Sequence, residues 1–218
     1  MRQPASPALS ALSPDTPEAI EDALIEKGYA CVPGFLSPAQ VHALAAETLR
    51  LWDDGEFQFA RIGTGTNRQR CPQVRSDRIL WLDNDHLSAP QKVYFDALDE
   101  LRQRINRATM MGLVDWEGHL ALYPPGTFYK RHIDVFANAR ERQLTTILYL
   151  NPNWQPGDGG ELRLYLDGAE MEPYIDLEPR GGTLVTFLSS RFYHEVLPAH
   201  TERLSITGWY RVRSTRHF

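Results

Sequence analysis

The chain has 218 residues, enough for one large domain or two small ones. Hydrophobic residues make up 42% and aromatics 11%, ordinary for a protein with a real core, and the formal net charge is −5. That charge argues against whole-molecule attraction to nucleic acid or an anionic membrane, and no apolar run approaches membrane-spanning length.

Residues 1–14 (MRQPASPALSALSP) carry one Arg and scattered small residues without a continuous apolar stretch, so the expectation is a disordered leader rather than a secretory signal. Thr16-Pro17-Glu18 combines an N-cap, a first-turn proline and an early acid, and Gly28 is a natural stop for the helix between them. Tyr29 to Val32 reads as a short strand and Pro33-Gly34 as a turn. Ser37-Pro38 opens a second helix with Val41, Leu44, Ala45 and Trp52 on one face, widened by Leu49 and Leu51 and interrupted by Thr48. Ser88-Ala89-Pro90 opens a third, carrying Val93, Leu98, Leu101 and Ile105 toward Met110. Between the second and third helices lies Gly55 to Arg75, punctuated by Gly55, Gly63 and Gly65 and rich in arginine (Arg61, Arg68, Arg70, Arg75, with Arg78 just beyond). Such a segment is either a solvated surface loop or a flap over an active site that recognises an extended or acidic partner.

From Gly118 the pattern changes to short strands: His119 to Tyr123, Phe128 to His132, Leu144 to Leu150, Glu161 to Leu166, Thr183 to Leu188, His194 to Leu197 and Leu204 to Val212. Pro124-Pro125-Gly126, Pro156-Gly157-Asp158-Gly159-Gly160 and Arg180-Gly181-Gly182 supply turns. Many short strands at this spacing predict a mainly β fold with flanking α: a double-stranded β-helix (jelly-roll) core over about residues 118–212. Helices over about 15–117 would brace it, in a single domain covering 15–218. Cys31 and Cys71 are far apart and match no metal-ligand spacing, so two free thiols in a reducing cytoplasm are expected.

Against this frame His132-Ile133-Asp134, with His194 and Arg203 downstream, carries the chemistry. Residues at i and i+2 of a strand share a face, so His132 and Asp134 could share a metal if the strand continues through Ile133. Two imidazoles and a carboxylate on one side, with the opposite positions open, make the facial triad of non-haem Fe(II) oxygenases. His-x-Asp alone is weak, because a surface His beside a solvated Asp is common. Arg203 strengthens it: with Ser205, Thr207 and Trp209 it shares one face of the last strand, which is no apolar core face. A buried guanidinium needs a carboxylate side chain or a bound anion, and a dicarboxylate co-substrate fits the second case. Pro198-Ala199-His200-Thr201 reads as a hairpin that would put His194 and Arg203 on adjacent antiparallel strands.

From Tyr123 to Tyr210 the chain resembles the Fe(II)/2-oxoglutarate-dependent prolyl 4-hydroxylases, above all the hypoxia-inducible-factor prolyl hydroxylase group and its bacterial relatives. The motifs that carry this are Tyr123-Pro124, Tyr129-Lys130-Arg131-His132-Ile133-Asp134, Ile147-Leu148-Tyr149-Leu150-Asn151, Gly159-Gly160-Glu161-Leu162-Arg163, His194-Glu195-Val196 and Arg203-Leu204-Ser205-Ile206-Thr207-Gly208-Trp209-Tyr210. Upstream, Arg75-Ser76-Asp77-Arg78-Ile79-Leu80-Trp81 looks like the strand that follows the substrate-covering loop of that group. The resemblance implies Fe(II) on His132, Asp134 and His194, with no further catalytic residue. It implies 2-oxoglutarate held through its distal carboxylate by Arg203, with Tyr149 and Thr207 assisting, Tyr123 nearer the metal and Trp209 lining the pocket. Arg142, Asp77, Trp81 and the Gly55 to Arg75 loop would face a protein substrate. The implied reaction consumes O2, with ascorbate as a supporting reductant, and releases succinate and CO2 as a prolyl residue is hydroxylated. A translation factor such as elongation factor Tu is the implied substrate candidate.

Departures limit the transfer. The turn Tyr123 to Phe128 is one residue shorter than in the animal members, and the chain before about residue 70 is less similar. Hydroxylation of a free amino acid or other small molecule by the same iron chemistry is the alternative. Nucleic-acid dealkylases carry a second Arg six residues past the first, where this chain has Trp209. A non-enzymatic relative would ordinarily lose a ligand, and a zinc hydrolase finds no HExxH.

Overall fold

The computed structural model describes residues 18–62, 69–135, 141–168 and 170–214; the expected leader, Thr16-Pro17, Gly63, Gly65 and Arg68 lie outside them. In chain order the elements are α1 (Glu18–Glu26), β1 (Tyr29–Val32), α2 (Pro38–Asp53), β2 (Gln58–Phe59), β3 (Arg78–Trp81), α3 (Ala89–Thr109), β4 (Asp115–Tyr123), β5 (Tyr129–His132), β6 (Arg142–Tyr149), β7 (Leu162–Tyr165), β8 (Tyr174–Leu177), β9 (Leu184–Leu188), β10 (His194–Val196) and β11 (Arg203–Arg211). One sheet has seven strands in the order β1-β9-β6-β11-β4-β3-β2, the other four in the order β5-β10-β7-β8. All the pairings between these strands are antiparallel, and the two sheets form the expected double-stranded β-helix.

Both long helices start as their sequences predict. Ser37 and Ser88 each accept from the amide three residues on, and Gln40 and Gln91 reach back to close a capping box in front of an early proline. The Arg104 guanidinium grips Glu21 through two bonds of 2.7 Å, joining α3 to α1. Tyr210 donates to the Leu98 carbonyl at 2.6 Å, tying α3 to the central strand β11. Two helix details differ from expectation. Val93 is 41% exposed, because the buried stripe of α3 runs Gln91, Tyr94, Leu98, Leu101, Ile105, and Val93 falls outside that rotation. Thr48 lies within the buried face of α2, its hydroxyl satisfied by the Leu44 carbonyl at 2.7 Å.

The central strands are buried on both faces, and their parity separates two cores. Leu120 and Leu122 of β4, Leu144 and Leu148 of β6, and Leu204, Ile206 and Tyr210 of β11 pack toward the helices with Leu44, Leu98 and Leu101. Ala121, Tyr123, Ile147, Tyr149, Val185 and Phe187 point the other way and meet Leu162, Leu164 and Val196 of the smaller sheet. Gly118 and Gly208 sit side by side under the Trp116 ring, where any Cβ would collide with the indole. The second, inter-sheet layer is where the site lies.

Candidate active site

The odd-numbered side chains of β11 enter the space between the sheets. Arg203, Thr207 and Trp209 line a cavity of about 260 Å³, with Tyr123, Ile147 and Leu162 on its walls and His132, Asp134 and His194 at one side. That volume is just under the range of about 300–1,000 Å³ common for small-molecule sites.

β5 ends at His132, where the expected strand ends, so the condition that it continue through Ile133 is not met; Asp134 arrives from the bend that follows. The two still converge. His132 Nε2 lies 3.5 Å from Asp134 Oδ1, and His194 Nε2 lies 3.7 Å from Asp134 Oδ2. One ligand atom from each of the three falls within 4.8 Å of the others, a spacing a single metal ion can bridge. Each imidazole is oriented through its far nitrogen: His132 Nδ1 meets the Lys130 carbonyl at 2.8 Å and His194 Nδ1 meets the Phe192 carbonyl at 3.2 Å. With Nδ1–H donated to a carbonyl, each Nε2 lone pair is left for a metal. Tyr129 stacks on His132 at 3.6 Å and 13°, and Phe187 meets His194 edge-on.

Asp134 is equally constrained. Its Oδ2 accepts from Thr145 Oγ1 at 2.7 Å and from Trp209 Nε1 at 3.0 Å, and Thr145 is linked onward to Ser189 at 2.9 Å. Burial pushes this carboxyl up, but His194, His132 and the Trp209 donor together hold it well below the usual carboxylate range. Burial, then the neighbouring His132, pushes His194 down to about 4, which keeps it neutral and able to ligate at neutral pH.

Opposite the triad, Arg203 is 2% exposed. Its Nε donates to the Gly160 carbonyl at 2.8 Å and its Nη1 to Ser205 Oγ at 3.2 Å, while the guanidinium lies 4.7 Å from the Tyr123 ring and 5.1 Å from that of Tyr149. No carboxylate side chain pairs with it among the described residues. Gly160, at φ +75, lets it fit, since a Cβ there would stand 2.7 Å from Arg203 Cδ. The Tyr149 hydroxyl is buried with no hydrogen-bond partner among the described residues. Burial pushes that phenol above its ordinary range despite the Arg203 charge. A buried cation without a counter-charge, beside an unpaired hydroxyl, is the chemistry a carboxylate would complete.

The expected hairpin between His194 and Arg203 is not there. β10 belongs to the four-stranded sheet and β11 to the seven-stranded one, so the two residues face each other across the pocket. The connection crosses between sheets, with the Ala199 amide on the Thr127 carbonyl at 3.0 Å. Strands in one sheet are about 4.8 Å apart, whereas packed sheets are about 10 Å apart. Only the second arrangement leaves room for a ligand between metal and guanidinium.

The remaining expected residues divide. Trp81 and Arg142 line the cavity; Arg142 lies 3.6 Å from the Trp209 ring and pairs with Glu117 at 2.9 Å. Asp77 does not line it. Its carboxylate is fully buried and taken up by Arg75 through bonds of 2.8 and 2.6 Å, which corrects the expectation of substrate contact. Arg75 does reach the cavity, 4.2 Å from the Tyr129 ring, so Asp77 acts on the site through Arg75 and Tyr129. His119 is a lining residue the sequence reading passed over. It is buried between Trp81 and Trp209, and burial pushes its imidazole down to about 3, so it is neutral. Strand parity with Tyr123 was the available signal: 119, 121 and 123 share a face. The same parity on β6 places Thr145 with Ile147 and Tyr149. Of the Gly55 to Arg75 segment, Gln58, Phe59, Arg61 and Ile62 stand at the cavity. Among the described residues no helix is long and apolar enough to cross a membrane, and Cys31 and Cys71 are unpaired thiols.

The family model of the 2OG-Fe(II) oxygenase superfamily matches residues 118–211, the span that carries the triad and Arg203. A Pseudomonas putida prolyl-4-hydroxylase structure is 43% identical over 90% of this chain and 99% of its own, with a TM-score of 0.80. A Trichoplax adhaerens prolyl hydroxylase, solved with a hypoxia-inducible-factor peptide, is 29% identical over 89% of this chain and 88% of its own, with a TM-score of 0.79. A Caenorhabditis elegans hypoxia-inducible factor prolyl hydroxylase is 33% identical over 88% of this chain, which spans 28% of that protein's length. The chain belongs to the 2OG-Fe(II) oxygenase superfamily and, within it, to the prolyl hydroxylase family.

Proposed function

We propose that this chain is an Fe(II)- and 2-oxoglutarate-dependent dioxygenase that hydroxylates a prolyl residue of a protein substrate, in the manner of a prolyl 4-hydroxylase. The observation that carries the reading is the buried Arg203, without a carboxylate partner among the described residues, facing His132, Asp134 and His194 across one small cavity. The donor set fits Fe(II), and Arg203 with the unpaired Tyr149 hydroxyl fits the far carboxylate of 2-oxoglutarate. When bound, iron with 2-oxoglutarate and O2 supplies the oxidising power to hydroxylate an unactivated C–H bond, with release of succinate and CO2.

The chain's own residues provide position and dryness. His132, Asp134 and His194 would hold the metal from one side and leave the other open. Arg203, with Thr207 at its side, would set the depth of the co-substrate, and Tyr123 would cover it nearer the metal. Leu162, Ile147 and Val196 line the space between and would keep water from it. Trp81, Arg142, Trp209 and the rim at Gln58 to Ile62 would receive the target residue. Asp134 offsets only one of the metal's two charges, which keeps the dianionic co-substrate electrostatically welcome.

The test supplies purified protein with Fe(II), ascorbate, 2-oxoglutarate and proline-containing peptides, with intact elongation factor Tu as the first protein tried. Succinate formation coupled to gain of one oxygen atom on proline is the expected result. Failure of every peptide and protein to stimulate succinate formation overturns the reading. A reducing cytoplasm is the compartment proposed, from the two unpaired thiols.

A further inference from the structure

At the rim of the cavity, β2 is the last strand of the seven-stranded sheet and pairs only with β3. It presents Phe59, 38% exposed, and two guanidinium groups lie over that ring: Arg70 at 3.2 Å from its centroid and Arg78 at 3.4 Å. Arg61, two residues on, stands at the cavity itself. The nearby arginines are neutralised: Arg75 by Asp77 and Arg142 by Glu117. Arg61, Arg70 and Arg78 have no carboxylate partner among the described residues. Each of Arg70 and Arg78 therefore spends its flat face on the Phe59 ring and keeps its donor edge for something else; Arg78 uses one donor on the Ser76 carbonyl at 2.9 Å.

Burial, and then the like charge of Arg70 held on the same ring, lower the proton affinity of Arg78 against the opposing pull of Asp77. A molecule of net charge −5 has carboxylates to spare, yet among the described residues none forms an ion pair with either guanidinium, and Asp77 beside Arg78 is taken up by Arg75. A guanidinium pre-stacked on an aromatic ring loses less freedom on binding a carboxylate than a free one does.

We propose that Arg70 and Arg78, stacked on Phe59 at the rim of the cavity, are the docking point for an acidic segment of the protein substrate that flanks the residue entering the pocket. This rests on the function proposed above and adds the chemistry of the partner. The aromatic ring fixes the pair, Arg61 extends positive charge toward the cavity, and the acidic flank orients the substrate before its target residue reaches the metal site.

The experiment measures binding and turnover separately. Labelled peptides with one proline and flanking Glu/Asp, the same peptides with Gln/Asn instead, and a single-stranded oligonucleotide are titrated by fluorescence anisotropy into the protein and its Arg70→Gln/Arg78→Gln variant. The acidic peptide should bind the unaltered protein about tenfold more tightly than the amide peptide. That preference should vanish in the variant and in about 1 M salt, where the screening length is about 3 Å. Succinate formation without peptide should be equal in the two proteins, because neither Arg touches the co-substrate pocket. Equal binding of acidic and amide peptides, a preference that survives the double substitution, or tighter binding of the oligonucleotide overturns the proposal. Acidic preference without hydroxylation of any substrate defeats the proposed function and leaves the docking site standing; hydroxylation without acidic preference does the reverse.

Discussion

At the floor of the pocket nearly every polar side chain is held by the sheets. Asp134 takes two donors, both imidazoles are pinned through Nδ1, and Arg203 is fixed by Gly160 and Ser205. At the rim, Phe59, Arg61 and Arg70 stand exposed around an edge strand of two residues, and the two arginines have no carboxylate partner among the described residues. Chemistry on an unactivated bond needs ligands placed to within about 0.5 Å. Recognition of a large partner tolerates side chains that order on contact. Substitutions at the floor should therefore cost metal or co-substrate, and those at the rim only the macromolecule.

The largest effect is expected from His194→Ala. Isothermal titration with Fe(II) under anaerobic conditions should show a loss greater than the about 10–100-fold typical of an outer partner, with succinate formation at background. Next is Arg203→Ala, which removes the buried charge opposite the metal; 2-oxoglutarate binding should weaken by about 2–5 kcal/mol, a factor of about 30 or more in Kd. Unchanged affinity there would refute the assignment of Arg203 as anchor. Trp209→Phe keeps the ring under Arg142 but deletes the donor to Asp134, so metal affinity should fall about tenfold with little change in thermal stability. A smaller effect concerns acid. His194 has its folded pKa lowered from 6.5 to about 4, so the unfolded chain binds the extra proton between those values. Stability is fully present above pH 6.5 and is lost as pH falls toward 4, a slope that thermal melts of metal-free protein should show and that His194→Gln should reduce. Smallest of all, Arg61→Gln should leave 2-oxoglutarate affinity within about twofold of the unaltered protein; a larger change would erase the distinction between floor and rim.

Much of this was legible in the chain. The serine-proline caps of α2 and α3, the glycine turns and the period-two alternation of β11 each report a local preference that the fold keeps. β8 was missed because it is only four residues long: exposed Tyr174 and Asp176 alternate with half-buried Ile175 and Leu177, too short a run to stand out in the sequence. β2 is shorter still. The resemblance set Asp77 facing a protein substrate, but Arg75, two residues earlier, turns onto its carboxylate and takes it up. His119 was readable from parity with Tyr123, but a lone histidine in an apolar strand is ordinarily core.

The residue types of the site and their faces were determined by the sequence itself. Alternation along a strand is local geometry, so Arg203, Ser205, Thr207 and Trp209 had to share a side. Which strands meet is non-local. Only the tertiary structure decided that the chain between His194 and Arg203 crosses from one sheet to the other rather than turning back within one. That crossing sets the triad and the guanidinium across a gap wide enough for a ligand.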